Sequence, residues 1–450
     1  MDFPANLLLF LDGVYVEDDY GQQRFHRVKT PTHSELNTLV HTLSHRVARC
    51  LEKQGLLERD AENTWLTLEE EEGDVLTQLQ GSSMTYRIAT GPQQGRKVFT
   101  LLITTTVTDF VPKSHPLRSL RRLLDAALKE LDDHFDDMYS DIGRESVAPE
   151  RLIRASLLQV LYTIRSERQL VEQIRYNMLY RWFVGLEMDD AVWHHSTFTK
   201  NRARLLEHAV LPELFDAVLR QARKRHLLSD DHFSVDGTLI DAWASHKSFQ
   251  PRDDDDDDAP QSRERDFHGE KRSNQTHSSR TDPDAELMRK NKGQESKLRY
   301  GVCHVTENRN HFVVKVKTAP AASVTEREVS LDLLAEMKGE HLKTLGGDKA
   351  FDTHDYVDAC RVMKFTPHFA QNIERNGGSA IDERTTRHPG YKISLRKRKM
   401  IEATFGWVKQ YGGLRRMMYR GMPRVDAAVT FAVTVYNLLR INNLQPHWQE

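Results

Sequence analysis

Three acidic residues occupy positions where their side chains call for an explanation. Asp236 interrupts HFSVDGTLIDAW, in which Phe233, Val235, Gly237 and Leu239 alternate with more polar residues and predict a strand ending near Asp241. Aspartate is disfavoured inside strands, so Asp236 has either a turn role or a functional one. Asp348 follows HLKTLGG, a short predicted strand closing on a Gly-Gly turn. Glu402 lies in RKRKMIEATFGWVKQ, Arg396 to Gln410, which contains no proline and reads as one helix. Its Ile401, Phe405 and Val408 form an apolar stripe, and Arg398, Glu402 and Lys409 form a second stripe beside it. Carboxylates that converge repel one another unless cations neutralise them. Hard divalent cations with oxygen ligands are the natural occupants of such a site. Two such ions about 4 Å apart activate an attacking hydroxyl and stabilise a leaving oxygen in phosphoryl transfer. The plainer reading of the helix alone is a solvated surface with an i, i+4 Arg–Glu pair. Spacing alone does not decide between the two.

The elements that must carry these residues are legible in outline. Residues 116–225 read as all helix, with Leu117 to Phe135 first and then a helix opened by Ala148-Pro149-Glu150. Ser166 to Arg175, Tyr176 to Leu186 and His195 to Lys224 follow. HHSTFTKNRARL places Ser/Thr caps before a basic helix with Lys200, Arg202 and Arg204. That pattern fits a helix-turn-helix-like DNA reader, and equally an ordinary bundle with a basic surface. Beyond the Asp236 strand, residues 246–296 are polar and charge-blocked, with six consecutive aspartates from Asp253 to Asp258, and read as a disordered or loosely ordered insertion. A hairpin turning at Asn308-Arg309-Asn310 comes next, then a helix from Thr325 to Lys338 with Ser323 as candidate cap. The strand before Asp348, a helix from His354 to Lys364, the strand FTPHFAQN, the Glu402 helix and the apolar helix VDAAVTFAVTVYNLLRI complete the order. A hairpin beside the Asp236 strand, followed by alternating strands and helices, is the order of an RNase H-like layer, which can bring all three carboxylates to one sheet edge.

Composition sets the boundaries. The chain has 450 residues, enough for two or three domains, and a formal net charge of −2, so any nucleic-acid signal must be local. Cys50, Cys303 and Cys360 have neither zinc-site nor disulfide spacing and suit a reducing cytoplasm. The opening MDFPANLLLFLDGVYV carries Asp2 and no positive n-region, so a signal peptide is not expected, and no apolar run approaches the roughly 18 residues of a membrane span. The expected location is the bacterial cytoplasm. Between Arg384 and Arg424 lie twelve basic residues and only one acidic residue, Glu402, which suits a phosphate backbone held over the site. His41 and His45 form an i, i+4 pair without a third ligand and read as plain helix-surface or core residues.

SVDGTLIDAWAS, LGGDKAFDT and RKRKMIEATFGWVKQYGGLRR together resemble the three catalytic blocks of DDE transposases of bacterial insertion sequences, and most of all the insertion-sequence-five type. DPDAELMRK, KLRYGVCHVTENRN, TTRHPGY and RASLLQVLYTIRSERQLVEQIRYNMLYRWFVGL extend the resemblance, in consistent order, over about 115 to 425. The resemblance implies an α/β, RNase H-like catalytic domain over 226–445, with its insertion at 246–296, behind an all-helical DNA-binding domain over 111–225. It implies metal-dependent cleavage and strand transfer of insertion-sequence ends. The ends would be double-stranded DNA with terminal inverted repeats, paired by a homodimer and joined to target DNA. Asp236 takes the place of the first catalytic aspartate, Asp348 the second and Glu402 the glutamate. These three would also be the ligands of two Mg²⁺ or Mn²⁺ ions, while Arg398, Lys409, Lys200 and Arg202 would contact DNA. Around the glutamate the wider family has Tyr, Arg, Glu and Lys at set spacings, and Leu395 stands where the tyrosine would be. Other readings are a nuclease that cleaves without joining and an inactive DNA-binding relic.

Residues 1–110 are expected to form a small α+β extension. FLDGVYV, HRVARCLEKQGLLERDAENTWL and SMTYRIATGPQQGRKVFTL resemble part of a rolling-circle transposase of the two-tyrosine class. The metal motif and tyrosine pair of that class are missing, since HTLSH has the wrong spacing and Tyr15, Tyr20 and Tyr86 form no pair. A catalytically dead remnant, joined near Thr105 to Val111, is the expectation.

Overall fold

The computed structural model describes residues 106–136, 138, 146–252, 273–290, 293–322, 326–337, 339–415 and 417–444. Within the first 105 residues it describes seven segments. The chain forms two compact units, Met1–Thr104 and Thr105–Glu450. In the first, β1 (Gly13–Glu17) pairs antiparallel with β2 (Gln23–Arg27), α1 spans His33–Lys53, and two short hairpins follow, β3 (Leu57–Arg59) with β4 (Thr64–Leu66) and β5 (Thr85–Arg87) with β6 (Lys97–Phe99). Tyr15 is on β1 and Tyr86 on β5, while Tyr20 lies outside the described residues.

The second unit begins with helices. α2 (Pro116–Lys129) starts on a proline, and the His115 ring accepts the Leu117 N–H. The helix expected to run on to Phe135 stops at Glu130, and α3 (Asp132–Asp136) is separate. α4 (Pro149–Leu161) opens on Pro149 as its sequence indicates, and Ser166 caps α5 (Glu167–Tyr176) through the Gln169 N–H. α6 (Met178–Val184) ends at Gly185, whose φ of 91° suits a residue without a Cβ. The stretch His195 to Lys224 is two helices, α7 (Ser196–Glu207) and α8 (Val210–Lys224), separated by Ala209 at φ 49°. No side chain caps α7, so the Ser/Thr cap expected there is not formed. Leu120, Leu124, Leu128, Leu152, Leu158, Phe183 and Val218 form the buried centre of this layer.

The sheet follows. β7 (His232–Asp241) sits in the middle of a mixed, six-stranded sheet. After β8 (Phe249–Pro251), β9 (His277–Ser279) and β10 (Glu286–Met288) come β11 (Lys297–Glu307) and β12 (Val313–Pro320), joined by the turn expected at Asn308–Asn310. The Glu307 carboxylate fixes that turn by accepting the N–H groups of Arg309 and Asn310, at 2.6 and 2.8 Å. α9 (Glu326–Glu336), β13 (Lys343–Gly347), α10 (His354–Val362) and β14 (Phe365–Phe369) complete the alternation. Ser323 lies outside the described residues. The strand order is β10-β11-β7-β13-β14 with β12 also on β11; β11 is antiparallel to β7, and β13 is parallel to it. After the short α11 (Glu383–Thr386) come α12 (Pro389–Lys397), a 3₁₀ turn at Arg398–Met400, α13 (Ile401–Gln410) and α14 (Met422–Leu444).

Part of the stretch expected to be loosely ordered is built into the fold. β8 and β9 form a hairpin there and β10 extends the sheet. Asp282 is fully buried, accepting from Tyr300 Oη at 2.6 Å and from Gly421 N–H at 3.0 Å. The aspartate run lies outside the described residues.

α14 explains how the helical layer and the sheet stay together. Val425, Val429, Ala432 and Val433 belong to the sheet core, whereas Phe431, Val435, Leu438 and Ile441 belong to the helical core. A helix apolar all round is one buried on more than one side. Its fully buried Asn437 locks the register, accepting from Val313 N–H at 3.0 Å and donating to Val313 O at 2.8 Å. Asn437→Leu leaves a buried donor and acceptor without partners, and we expect it to cost about 2–5 kcal/mol, read as a lower urea midpoint at unchanged slope.

Candidate catalytic site

The three carboxylates predicted to act together lie toward one end of the sheet, near enough for the charges of Asp348 and Glu402 to act on Asp236. Parallel pairing of β13 with β7 runs from Thr344↔His232 to Gly346↔Ser234. Two residues beyond that last pair stand Asp236, still on β7, and Asp348, just past the end of β13. The register therefore delivers both aspartates to the point where the strands part. Gly346 and Gly347 are strand residues, not the turn their sequence suggested. A Cβ on Gly347 would meet the Phe369 ring at 2.8 Å, and one on Gly346 would stand 3.1 Å from Ser234 Oγ and 3.4 Å from Arg398 Cβ.

The third carboxylate comes from the helices covering this sheet end. Arg396 to Gln410 is not one helix: Arg396 and Lys397 end α12, Arg398 lies in the 3₁₀ turn, and Glu402 is in the first turn of α13. Ile401, Phe405 and Val408 are buried as their spacing predicts. Phe405 stacks on the His304 ring, with centroids 4.5 Å apart, and His304 is the cross-strand partner of Asp236. The Lys409 ammonium donates to the Thr238 hydroxyl, two residues along β7 and on the same face as Asp236. Leu395 packs, half-buried, against the sheet core.

The electrostatics record the convergence. Burial pushes the Asp236 carboxyl up to about 6, and the charges of Asp348 and Glu402 push in the same direction; the Gly237 N–H, 2.9 Å from Oδ1, and the Arg398 guanidinium oppose them. Arg398 acts on Asp236 across the site, and among the described residues it makes no ion pair with Glu402. Asp348 Oδ1 accepts the Ala350 N–H at 2.7 Å, and Glu402 is exposed. His304 is fully buried, its two ring nitrogens have no partner, and burial, then Lys409, holds it down to about 3, so the ring is neutral. The donors are all hard oxygens, and their mutual repulsion is the situation a divalent cation relieves, so the residues fit such an ion. Among the described residues, however, no three acidic, His or Cys side chains stand as a closed ligand set.

The other residues expected to act are less alike. Lys200 is exposed on α7. Arg202 is engaged within the protein, ion-paired with Glu167 and placed 4.5 Å over the Tyr419 ring. Lys392, Arg396, Lys397, Lys399, Arg415, Arg420 and Arg424 are exposed, and Arg384 is paired with Asp382. His41 and His45 have ring centroids 5.7 Å apart and belong to no metal-binding group among the described residues. The sequence reading missed Glu326 and His304. Glu326 opens α9, and its carboxyl group lies over Gly237. Only a glycine following a strand aspartate hinted at a close approach there.

A mixed sheet that gathers acidic side chains at one end, beneath a helix bearing another and beside a basic surface, defines an α/β protein built for metal-assisted phosphoryl transfer. Residues 227–438 match the family model of the transposase DDE domain, and residues 105–204 match that of a transposase domain, DUF772. The chain belongs to the DDE transposases, enzymes of DNA transposition that use divalent metal ions. No curated protein sequence matches it. Among solved structures it is similar to the piggyBac transposase synaptic complex with hairpin DNA, at 8% identity over 74% of this chain and 76% of that one, with a TM-score of 0.35. It is also similar to the Mos1 strand transfer complex, at 10% identity over 72% and 90%, with a TM-score of 0.21. Superpositions this loose carry no argument about this chain. No helix among the described residues is long and apolar enough to cross a membrane.

The Asp236 shift has a consequence for stability. A carboxyl group whose folded pKa, about 6, lies above its ordinary value of 3.8 binds its proton more tightly when folded. It therefore favours folding at low pH, and that contribution is lost as pH rises between those values. In chelator at pH 7.5, we expect Asp236→Asn to be more stable than the unmodified chain by about 1–3 kcal/mol, the difference fading below pH 4. Thermal melting across pH checks this, and a pH-independent difference would count against it.

Proposed function

We propose that this transposase cleaves the ends of its element and joins them to target DNA at a site formed by Asp236, Asp348 and Glu402. The observation that carries the reading is that Asp236, beyond the last pair of two parallel strands, lies within reach of the charges of both Asp348 and Glu402. An RNase H-like topology agrees with the strand order, in which an antiparallel hairpin lies on one side of β7 and parallel strands on the other. Mg²⁺ or Mn²⁺, as two ions held by these carboxylates, would activate the attacking water or 3′-hydroxyl and stabilise the leaving oxygen.

The remaining work belongs to the protein. β7 and β13 hold the two aspartates at fixed spacing, while α13 brings Glu402 over them with Phe405 as its anchor on His304. Arg398 moderates the charge on Asp236 and has the chemistry to meet a phosphate beside it. Lys409 holds α13 to β7 through Thr238, so its first role is to position the helix, with phosphate contact as its second. The exposed cations between Lys392 and Arg424, together with Lys200, would carry the DNA backbone. Arg202, tied to Glu167 and Tyr419, would stiffen α7 rather than reach DNA. The partners proposed are double-stranded ends with terminal inverted repeats and a target duplex, the two ends being paired by a homodimer. The first unit is read as a catalytically dead remnant of a rolling-circle transposase.

Glu402 is exposed, so Glu402→Ala should fold normally. We expect it to lower both cleavage and joining of end-bearing DNA with Mg²⁺ by about a thousandfold or more. Unchanged activity would sink the assignment, and cleavage without joining by the unmodified chain would mark a nuclease. Lys397→Ala combined with Lys399→Ala should weaken binding of end DNA uniformly across sequences and make it less salt-dependent, the log–log slope falling by about 1 for each phosphate no longer neutralised. Equilibrium binding between 50 and 200 mM salt would test this.

A further inference from the structure

Gly237 meets two carboxylates. Its N–H donates to Asp236 Oδ1 at 2.9 Å. A Cβ on residue 237 would lie 2.2 Å from Glu326 Oε1, so the carboxylate occupies the space that any other residue's side chain would take. An acid in the first turn of a helix is ordinarily accounted for by the helix dipole and faces water. Glu326 is an exposed residue, but its carboxylate turns back from α9 onto the strand that bears Asp236. No ion pair compensates it among the described residues. The start of α9 is fixed there, because Arg327 Nη1 donates to Ala350 O at 3.0 Å in the loop just after Asp348. Beside Glu326 opens a cleft of about 440 Å³, walled by Gly237, Thr238, Cys303, Ala322 and Phe351. Among the described residues, Glu326 is the one carboxylate on its wall.

Resting on the site proposed above, we propose that Glu326 is a fourth carboxylate of the catalytic centre, a ligand to a divalent cation held between it and Asp236 at the mouth of this cleft. Two carboxylates brought to one residue, Gly237, without a cation oppose each other. Glu326 is therefore placed where a second ion would be shared from the side of the sheet opposite Glu402. The chain then carries a ligand set of four acids, with Asp236 central to both halves.

Mn²⁺ binding to the full-length chain, followed by calorimetry and by the loss of the free-Mn²⁺ paramagnetic resonance signal, tests this without DNA or turnover. Asp236→Asn serves as the reference for the site as a whole. We expect Glu326→Gln to weaken one Mn²⁺ equivalent tenfold or more while leaving melting in chelator intact or raised, and Glu326→Asp to recover part of the affinity. Gly237→Ala retains the glutamate but displaces it from its seat, so it should reproduce the loss and decides the matter should Glu326→Gln fold poorly. Weakening by Asp236→Asn but not by Glu326→Gln or Gly237→Ala overturns the role of Glu326 alone. If no variant changes Mn²⁺ binding, or the unmodified chain binds none, the three-carboxylate site fails as well.

Discussion

Charge repulsion at one end of a sheet is the constraint the rest of this structure answers. Asp236, Asp348 and Glu402 are more comfortable apart, as the rise of Asp236 to about 6 records. They stay together because the groups behind them have nowhere else to go. β7 is hydrogen-bonded on both sides, to β11 along nearly its whole length and to β13 at its start. Phe233 and Val235 are buried on β7, as is Leu345 on β13. Displacing an aspartate would mean unzipping a central strand or emptying a packed core, each costing several kcal/mol. The carboxylates are thus held against their own field by burial of their neighbours. A cation entering the site would meet acids already gathered, with little ordering left to do.

The helix over the site depends on the same logic at longer range. α13 is only ten residues long, too short to be stable by its own propensity. It is held by Phe405 on His304 and by Lys409 on Thr238, both contacts with the central strands. Behind it α14 is shared by two cores, and Asn437 fixes it to β12 through both polar groups of Val313. The helical layer is thereby joined to the sheet through the interior of a helix. The basic surface after α13 and the acids thereby belong to the same compact unit, Thr105–Glu450.

Much of this could be read from the sequence because apolar periodicity is strong where burial is deep. The stripe of Ile401, Phe405 and Val408, the Pro149 start, the Ser166 cap and the turn at Asn308–Asn310 are local signals with local causes. Asp236 was legible because a charged residue in a strand contradicts its surroundings. The failures share a different cause. The 3₁₀ turn at Arg398–Met400 adjusts one helix to the next against the sheet, and no residue type announces it. Gly346 and Gly347 looked like a turn because glycine signals turns, yet here they admit the Phe369 ring, Ser234 and Arg398 to a strand. Arg202 looked like a DNA contact because its partner Tyr419 lies more than two hundred residues away. The charge-blocked stretch after Trp243 hid Asp282, whose burial depends on Tyr300 and Gly421.

Glu326 shows why the hardest residues to read are those that meet others from across a sheet. Its own neighbourhood is ordinary: an acid at the start of a helix, followed by Arg327 and Glu328. What distinguishes it is the absence of a side chain at Gly237, about ninety positions earlier, together with an amide that another carboxylate already uses. Neither fact is visible until β7 and α9 are placed against each other. A glycine beside a strand aspartate is easily taken as a flexible joint, but β7 is a regular strand at that point. The glycine serves as space, and the group that fills the space carries a charge of the same sign as its neighbour. In the proposed site that repulsion is what a divalent cation would relieve.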